Sequence, residues 1–168
     1  MIRRFSRHWR RFACKAAANS CATLLPDAAL MRLLDTNILS EILRKRPDAG
    51  VIRHLLAQPA AGLYASELTR FELRRGTCLR DDPEPLWDKI VKTILPLVQW
   101  LPADEAVSLR AAEISADLRR SGREIGLIDT FLAATATTHG LIMVTRNTRH
   151  FDRINGLKVE NWFQKGTP

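Results

Sequence analysis

The chain has 168 residues, 46% of them hydrophobic, which gives it the length and apolar content of one globular domain. Charged residues, Pro or Gly interrupt every apolar run well short of the ~20 residues that cross a bilayer, so no membrane-spanning helix is expected. The net charge of +8 is lopsided: residues 1–30 set six basic groups against Asp27 alone and leave only +3 for the rest, so charge by itself identifies no polyanionic partner.

Residues 1–30 stand apart in composition, Arg-rich first, then small from Ala16 to Ala22, then Pro26 and Asp27. They read as a basic extension resembling a transit peptide in composition, either disordered or placed ahead of a true start at Met31. The site chemistry is not expected to depend on them. Cys14, Cys21 and Cys78 show no CxxC spacing and no His partner at metal-ligand distance. Neither a disulfide framework nor a zinc site is expected, and a reducing cytoplasm fits best.

From Met31 the pattern becomes regular. Met31 to Leu34 predicts a short strand stopping at Asp35, after which Thr36 and Asn37 offer cap chemistry and Ile38, Leu39, Ile42 and Leu43 recur at helical spacing. Pro47 and Asp48 open a second short helix carrying Val51, Ile52, Leu55 and Leu56. Leu63 to Ala65 predicts a second strand, followed by a helix from about Glu67 to Arg80 and a break at Asp81, Asp82, Pro83 and Pro85. A helix bearing Trp87, Ile90, Val91 and Ile94 runs to Pro96, and Leu97 to Leu101 is a third strand candidate. Asp104 to Ser121 predicts a helix with Ala106, Leu109, Ile114 and Leu118 inward. Gly122 closes it, Leu127 to Thr138 is the next helix, Leu141 to Val144 a strand, and Leu157 to Val159 a final short one. Short apolar strands alternating with helices predict an α/β fold whose small, mostly parallel central sheet is covered on both faces.

Three carboxylates stand out, each with a plain alternative. Asp35 ends the first strand, where open parallel sheets bind ligands; it either caps the following helix or holds something positive. Glu72 shares its helix side with Leu68, Arg75 and Leu79, so it is either a site acid at the core edge or an ordinary partner of Arg75. Asp129 lies in the first turn of a helix whose face continues through Leu132, Ala133 and Ala136. A carboxylate there is costly to bury unless it is paired or bound to a cation, although the helix N-terminus also favours a structural anion. Carboxylates converging at a strand end repel one another, and a hard divalent cation relieves that repulsion through oxygen ligands. Such a cation polarises a phosphodiester and activates water for in-line attack.

The segments Leu33-Leu34-Asp35-Thr36-Asn37, Phe71-Glu72-Leu73-Arg74-Arg75-Gly76, Ile128-Asp129-Thr130-Phe131-Leu132 and Val144-Thr145-Arg146-Asn147, in this order, resemble PIN-domain ribonucleases of the VapC toxin type. The stretch from Phe151 through Gly156-Leu157-Lys158-Val159-Glu160-Asn161-Trp162 resembles that family's C-terminus. The resemblance implies a PIN domain over residues 31–164, with 165–168 as a tail. It also implies a site for Mg²⁺, or Mn²⁺ in its place, and endoribonuclease activity restrained by an antitoxin encoded by a neighbouring gene. A homodimer is a further expectation of the family.

The resemblance assigns Asp35, Glu72 and Asp129 to the catalytic and metal-holding acids, supported by Thr36, Asn37, Thr145 and Asn147. Many relatives carry a fourth acid where this chain has Asn147, so one well-held metal is expected in preference to two. Asp152 is off the matching position and reads as surface. Thr36 and Asn37 either brace the Asp35 carboxylate, contact phosphate or cap the helix. Arg146, Arg149 and Arg153 are candidate contacts to an RNA backbone, or solvated charge. Arg74 and Arg75 divide between substrate, antitoxin and Glu72, while Phe71 and Trp87 read as core or interface. His54, His139 and His150 are assigned no role. The helices spanning Ile38–Leu43 and Val51–Leu56 either offer a groove to an amphipathic partner segment or simply pack in the core. The alternative function is a catalytically degenerate PIN module that binds nucleic acid or a regulatory partner, which Asn147 favours. Phosphatases and response receivers that also place Asp after the first strand fit poorly, since Asn37 stands where the phosphatases need a second Asp.

Overall fold

The computed structural model describes residues 31–163; the expectations for residues 1–30 and for the tail at 165–168 lie outside the described residues. Strands β1 (Arg32–Leu34), β2 (Leu63–Ser66), β3 (Gln99–Leu101), β4 (Ile142–Val144) and β5 (Val159–Glu160) form one sheet in the order β3-β2-β1-β4-β5. All neighbouring strands are parallel. Parallel neighbours require crossover connections, and helices supply them. Helices α1 (Thr36–Ile42) and α2 (Ala49–Ala57) join β1 to β2, α3 (Glu67–Cys78) and α4 (Glu84–Thr93) join β2 to β3, and α5 (Glu105–Arg120) and α6 (Leu127–Thr138) join β3 to β4. A four-residue helix α7 (Thr148–Phe151) then leads toward β5.

Successive strand residues face opposite sides of a sheet, so each strand feeds two cores. Leu34 and Val144 pack with Ile38, Leu39, Val51, Leu73 and Ile90 from α1 to α4. Their neighbours Leu33 and Met143 pack on the other face with Val107, Ile114 and Leu118 of α5 and Leu132 of α6. Helix α6 is nearly enclosed, with Ala133, Ala134, Thr135 and Ala136 all at 0% exposure. Its buried hydroxyls are satisfied within the helix: Thr130 donates to the Gly126 carbonyl at 3.1 Å and Thr135 to the Phe131 carbonyl at 2.8 Å.

Several predicted details shift. Helix α5 buries Val107, Ala111, Ile114 and Leu118, while Leu109 is 62% exposed and Ala106 faces out. Leu109 lies five residues before Ile114, about 140° around the helix, and cannot share its stripe. Strand β3 begins only at Gln99 because Leu95–Leu97, containing Pro96, forms a 3-10 turn. The last strand starts two residues later than predicted and ends one later, over Val159–Glu160, and α7 is not among the predicted elements.

The strand order positions the site. From β1 the chain builds outward to β2 and β3, then returns across the molecule to set β4 against the other edge of β1. The carboxyl ends of β1 and β4 therefore flank a topological switch point, the position where such sheets bind ligands.

Candidate active site

Asp35 leaves the end of β1 with its backbone N–H donating to the Val144 carbonyl at 3.0 Å, one step beyond the β1–β4 ladder. The residue is only 6% exposed. Although it occupies the N-cap position of α1, its side chain makes no capping bond. Its Oδ2 instead accepts from Thr145 Oγ1 at 2.6 Å and from Asn37 Nδ2. Capping therefore does not account for this carboxylate.

Thr145 holds the arrangement. Besides donating to Asp35, its hydroxyl accepts from Asn37 Nδ2 at 3.1 Å and from the Asn147 backbone N–H at 3.0 Å. One donor and two acceptor positions are all that a hydroxyl offers, and at 0% exposure all three are used. Asn37 Oδ1 in turn accepts from the Arg146 N–H at 3.1 Å. The loop after β4 is thus pinned to the first turn of α1 by side chains from both.

Glu72 is half-buried on α3 and accepts from Thr36 Oγ1 across the gap to α1. The expected pairing with Arg75 does not form, and Arg75 is exposed. Arg74 turns to α4, reaching Glu84 at 3.1 Å and lying 4.9 Å from the ring centroid of Trp87. Phe71 is exposed and lies outside both cores.

Asp129 sits in the first turn of α6, which has no side-chain N-cap. Its Oδ2 lies 2.8 Å from Nδ1 of His150 on α7. The sequence assigns His150 no role; the structure places its ring on Asp129, because α7 carries it back over the start of α6. Of the other two, His54 stacks on Trp162 at 5.5 Å between centroids and His139 lies exposed at the end of α6.

Both other carboxylates bear on Asp35. The Asp35 carboxyl is pushed up from its ordinary 3.8 to about 6, mainly by burial, with the negative charges of Asp129 and Glu72 adding to the rise. Hydrogen bonds from Thr145 and the Thr36 backbone pull the other way without cancelling it. Among the described residues, no three acidic, His or Cys side chains already stand close enough to grip one ion. The fit to a cation rests on donor chemistry: a buried oxygen donor whose charge is disfavoured, beside two more carboxylates, is what a hard divalent ion neutralises.

The remaining candidates divide. Asn147 is exposed, and its backbone, not its amide, joins the network. Arg149 within α7, Asp152 at its C-cap and Arg153 just beyond it are exposed. Arg146 extends its guanidinium to 5.0 Å from the ring centroid of Phe163. A cleft of about 390 Å³ opens beside the site, with Thr36 and Glu72 at one end, Leu43, Leu73, Leu86 and Ile90 along it, and Arg44 and Arg80 also lining it. This groove lies among α1, α3 and α4; of the stretches read as either groove or core, Leu43 lines it, while Ile38, Leu39, Val51 and Leu55 pack in the core. The contact of His150 with Asp129 and the α3 and α4 walls of this groove escape sequence reasoning, since both depend on how helices distant in sequence meet.

Comparison with known proteins agrees with the geometry. The toxin FitB of Neisseria gonorrhoeae is 37% identical over 126 residues, covering 72% of this chain and 91% of that protein. The tRNA(fMet)-specific endonuclease VapC of Shigella flexneri is 33% identical, covering 77% of this chain and 96% of its own. The crystal structure of FitAcB from Neisseria gonorrhoeae superposes with a TM-score of 0.72 at 36% identity, over 78% of this chain and 97% of that one. The PIN domain model matches residues 32–157, and the all-parallel sheet with its strand-end carboxylates accords with it; the chain belongs to the PIN domain family.

Proposed function

We propose that this chain is the toxin of a toxin-antitoxin pair, an endoribonuclease that hydrolyses RNA phosphodiesters at Asp35, Glu72 and Asp129. The observation that supports the reading best is the buried Asp35 carboxylate at the β1–β4 switch point, held by Thr145 and Asn37 and raised to about 6 by burial, with the charges of Asp129 and Glu72 adding to the rise. Support for the activity comes from relatives named as ribonuclease and tRNA(fMet)-specific endonuclease, and for the toxin role from FitB.

Asp35, Glu72 and Asp129 would hold Mg²⁺, with Mn²⁺ a substitute of the same hard-donor preference. When bound, that ion polarises the scissile phosphodiester and acidifies water for in-line attack. The chain's own groups do the positioning. Thr145 and Asn37 fix the Asp35 carboxylate in its acceptor state, and Thr36 orients Glu72 from the same helix start. Burial at Asp35 keeps bulk water from screening the site. Arg146 lies on the same loop as Thr145, where its exposed charge suits a phosphate of the RNA backbone.

Incubating the purified chain with structured RNA, tRNA included, and Mg²⁺ tests this. Cleavage that EDTA abolishes and that Asp129→Ala removes is the expected result. Intact RNA binding without Mn²⁺ binding or cleavage would favour the non-catalytic module, the reading toward which Asn147 points. Co-expression with the small open reading frame beside the gene tests the antitoxin; unchanged toxicity removes that pairing.

A further inference from the structure

We propose that His150 is a positioning residue for Asp129, the acid in the first turn of α6. The inference rests on the reading of Asp129 as a metal-holding acid.

Three observations place His150 there. First, its Nδ1 is 2.8 Å from Asp129 Oδ2, a hydrogen bond between two elements that share no backbone ladder. An ionised carboxylate only accepts, so in this pairing the imidazole donates from Nδ1. Second, the ring is delivered by an anchored turn. Its neighbour Phe151 is fully buried, Ile154 follows into the same core, and the His150 N–H donates to the Asn147 carbonyl at 3.1 Å. Asn147 is in turn held to Thr145, so one chain of contacts runs from Asp35 through Thr145 and α7 to Asp129. Third, among the described residues His150 is the side chain that hydrogen-bonds Asp129, and the N-cap of α6, Gly126, adds no side-chain bond at that helix end.

The consequence concerns charge and geometry together. A fourth acid at position 147 would add repulsion to a site where Asp35 already resists ionisation. An imidazole carries no negative charge and adds none, and by engaging Oδ2 it restricts the rotation of the Asp129 carboxylate. Groups that hold a ligating carboxylate in this way commonly change metal affinity 10–100-fold when removed.

Titrating Mn²⁺ into the full chain by calorimetry, alongside RNA cleavage, tests the proposal. His150→Phe keeps a ring but has no donor, while His150→Asn keeps a donor near the place of Nδ1. The expected result is Mn²⁺ affinity about 10–100-fold weaker in His150→Phe, restored to within a few-fold of wild type in His150→Asn. Both variants should melt within a few degrees of wild type, because the side chain is 47% exposed. The neighbouring Asp152→Ala should bind and cleave as wild type does. Wild-type affinity in His150→Phe overturns the positioning role alone. A wild-type chain that binds no Mn²⁺ overturns it together with the site reading beneath it, so the two failures are told apart.

Discussion

Asp35 shows how a functional residue is held against its own preference. Its folded value of about 6 lies above the ordinary 3.8, so between those values the folded chain binds more protons than the unfolded one. Stability from this group therefore falls as pH rises through that window, and the cost is fully present above about 6. A shift of this size corresponds to roughly 3 kcal/mol. Metal-free Asp35→Asn should accordingly melt above metal-free wild type at pH 7.5. That advantage should shrink as pH falls through 6 toward 3.8, while activity drops by on the order of 10²-fold or more at every pH. A lower melting temperature for the variant at pH 7.5 would show that the carboxylate is not strained there. Asp35 and Asp129 were legible in the sequence because each interrupts an apolar pattern. Glu72 was not distinguishable from a surface acid except by resemblance, since its defining contact, Thr36, is 36 residues away.

Among elements, the small ones decide the site. Helix α7 has four residues, too short for any periodic signal, yet it carries His150 and closes the network begun at Thr145. Thr145→Val leaves Asn37 Nδ2 and the Asn147 N–H without their shared acceptor and deprives Asp35 of its 2.6 Å donor. We expect it to lower stability by about 1–3 kcal/mol and to weaken Mn²⁺ binding, read by calorimetry and thermal melting. Unchanged Mn²⁺ affinity would mean the loop needs no clamp. Helix α6 makes the opposite point: its Ala-rich face was read correctly as buried, because small residues at 0% exposure leave a pattern that no solvent-facing helix needs. Ala133→Leu, overpacking that face, should cost about 1–3 kcal/mol in a denaturant melt. On helix α5 the predicted Ile114 and Leu118 are buried, but Ala106 and Leu109 are not: Leu109 looks like core in composition, and only the angular bookkeeping from Ile114 excludes it.

At the scale of the whole molecule, two opposed titrations shape the pH response. Strand β5 is tied to β1 by Arg32, whose guanidinium meets Glu160 at 3.0 and 3.1 Å while also reaching Gln58 at 2.7 Å. Trp162 Nε1 donates to the same carboxylate at 2.8 Å. Burial alone would raise Glu160, but the bonds from Arg32 and Trp162 outweigh it and hold the carboxyl below its ordinary 4.5. A depressed carboxyl contributes stability above its unfolded value and loses it as pH falls through the folded one. Partial exposure limits this contribution, yet its sign is opposite to that of Asp35. Lowering pH from 7 should therefore first stabilise the metal-free chain as Asp35 takes up its proton, then destabilise it below about 4.5 as the Arg32–Glu160 tie is lost. Saturating Mg²⁺ should remove the first phase, because ligation needs the ionised carboxylate and raises stability most above pH 6. Melting curves across pH 3.5 to 8, with EDTA and with Mg²⁺, separate the two groups. Identical curves would show that the strand-end carboxylates do not hold the ion, and a first phase surviving in Asp35→Asn would assign that proton elsewhere.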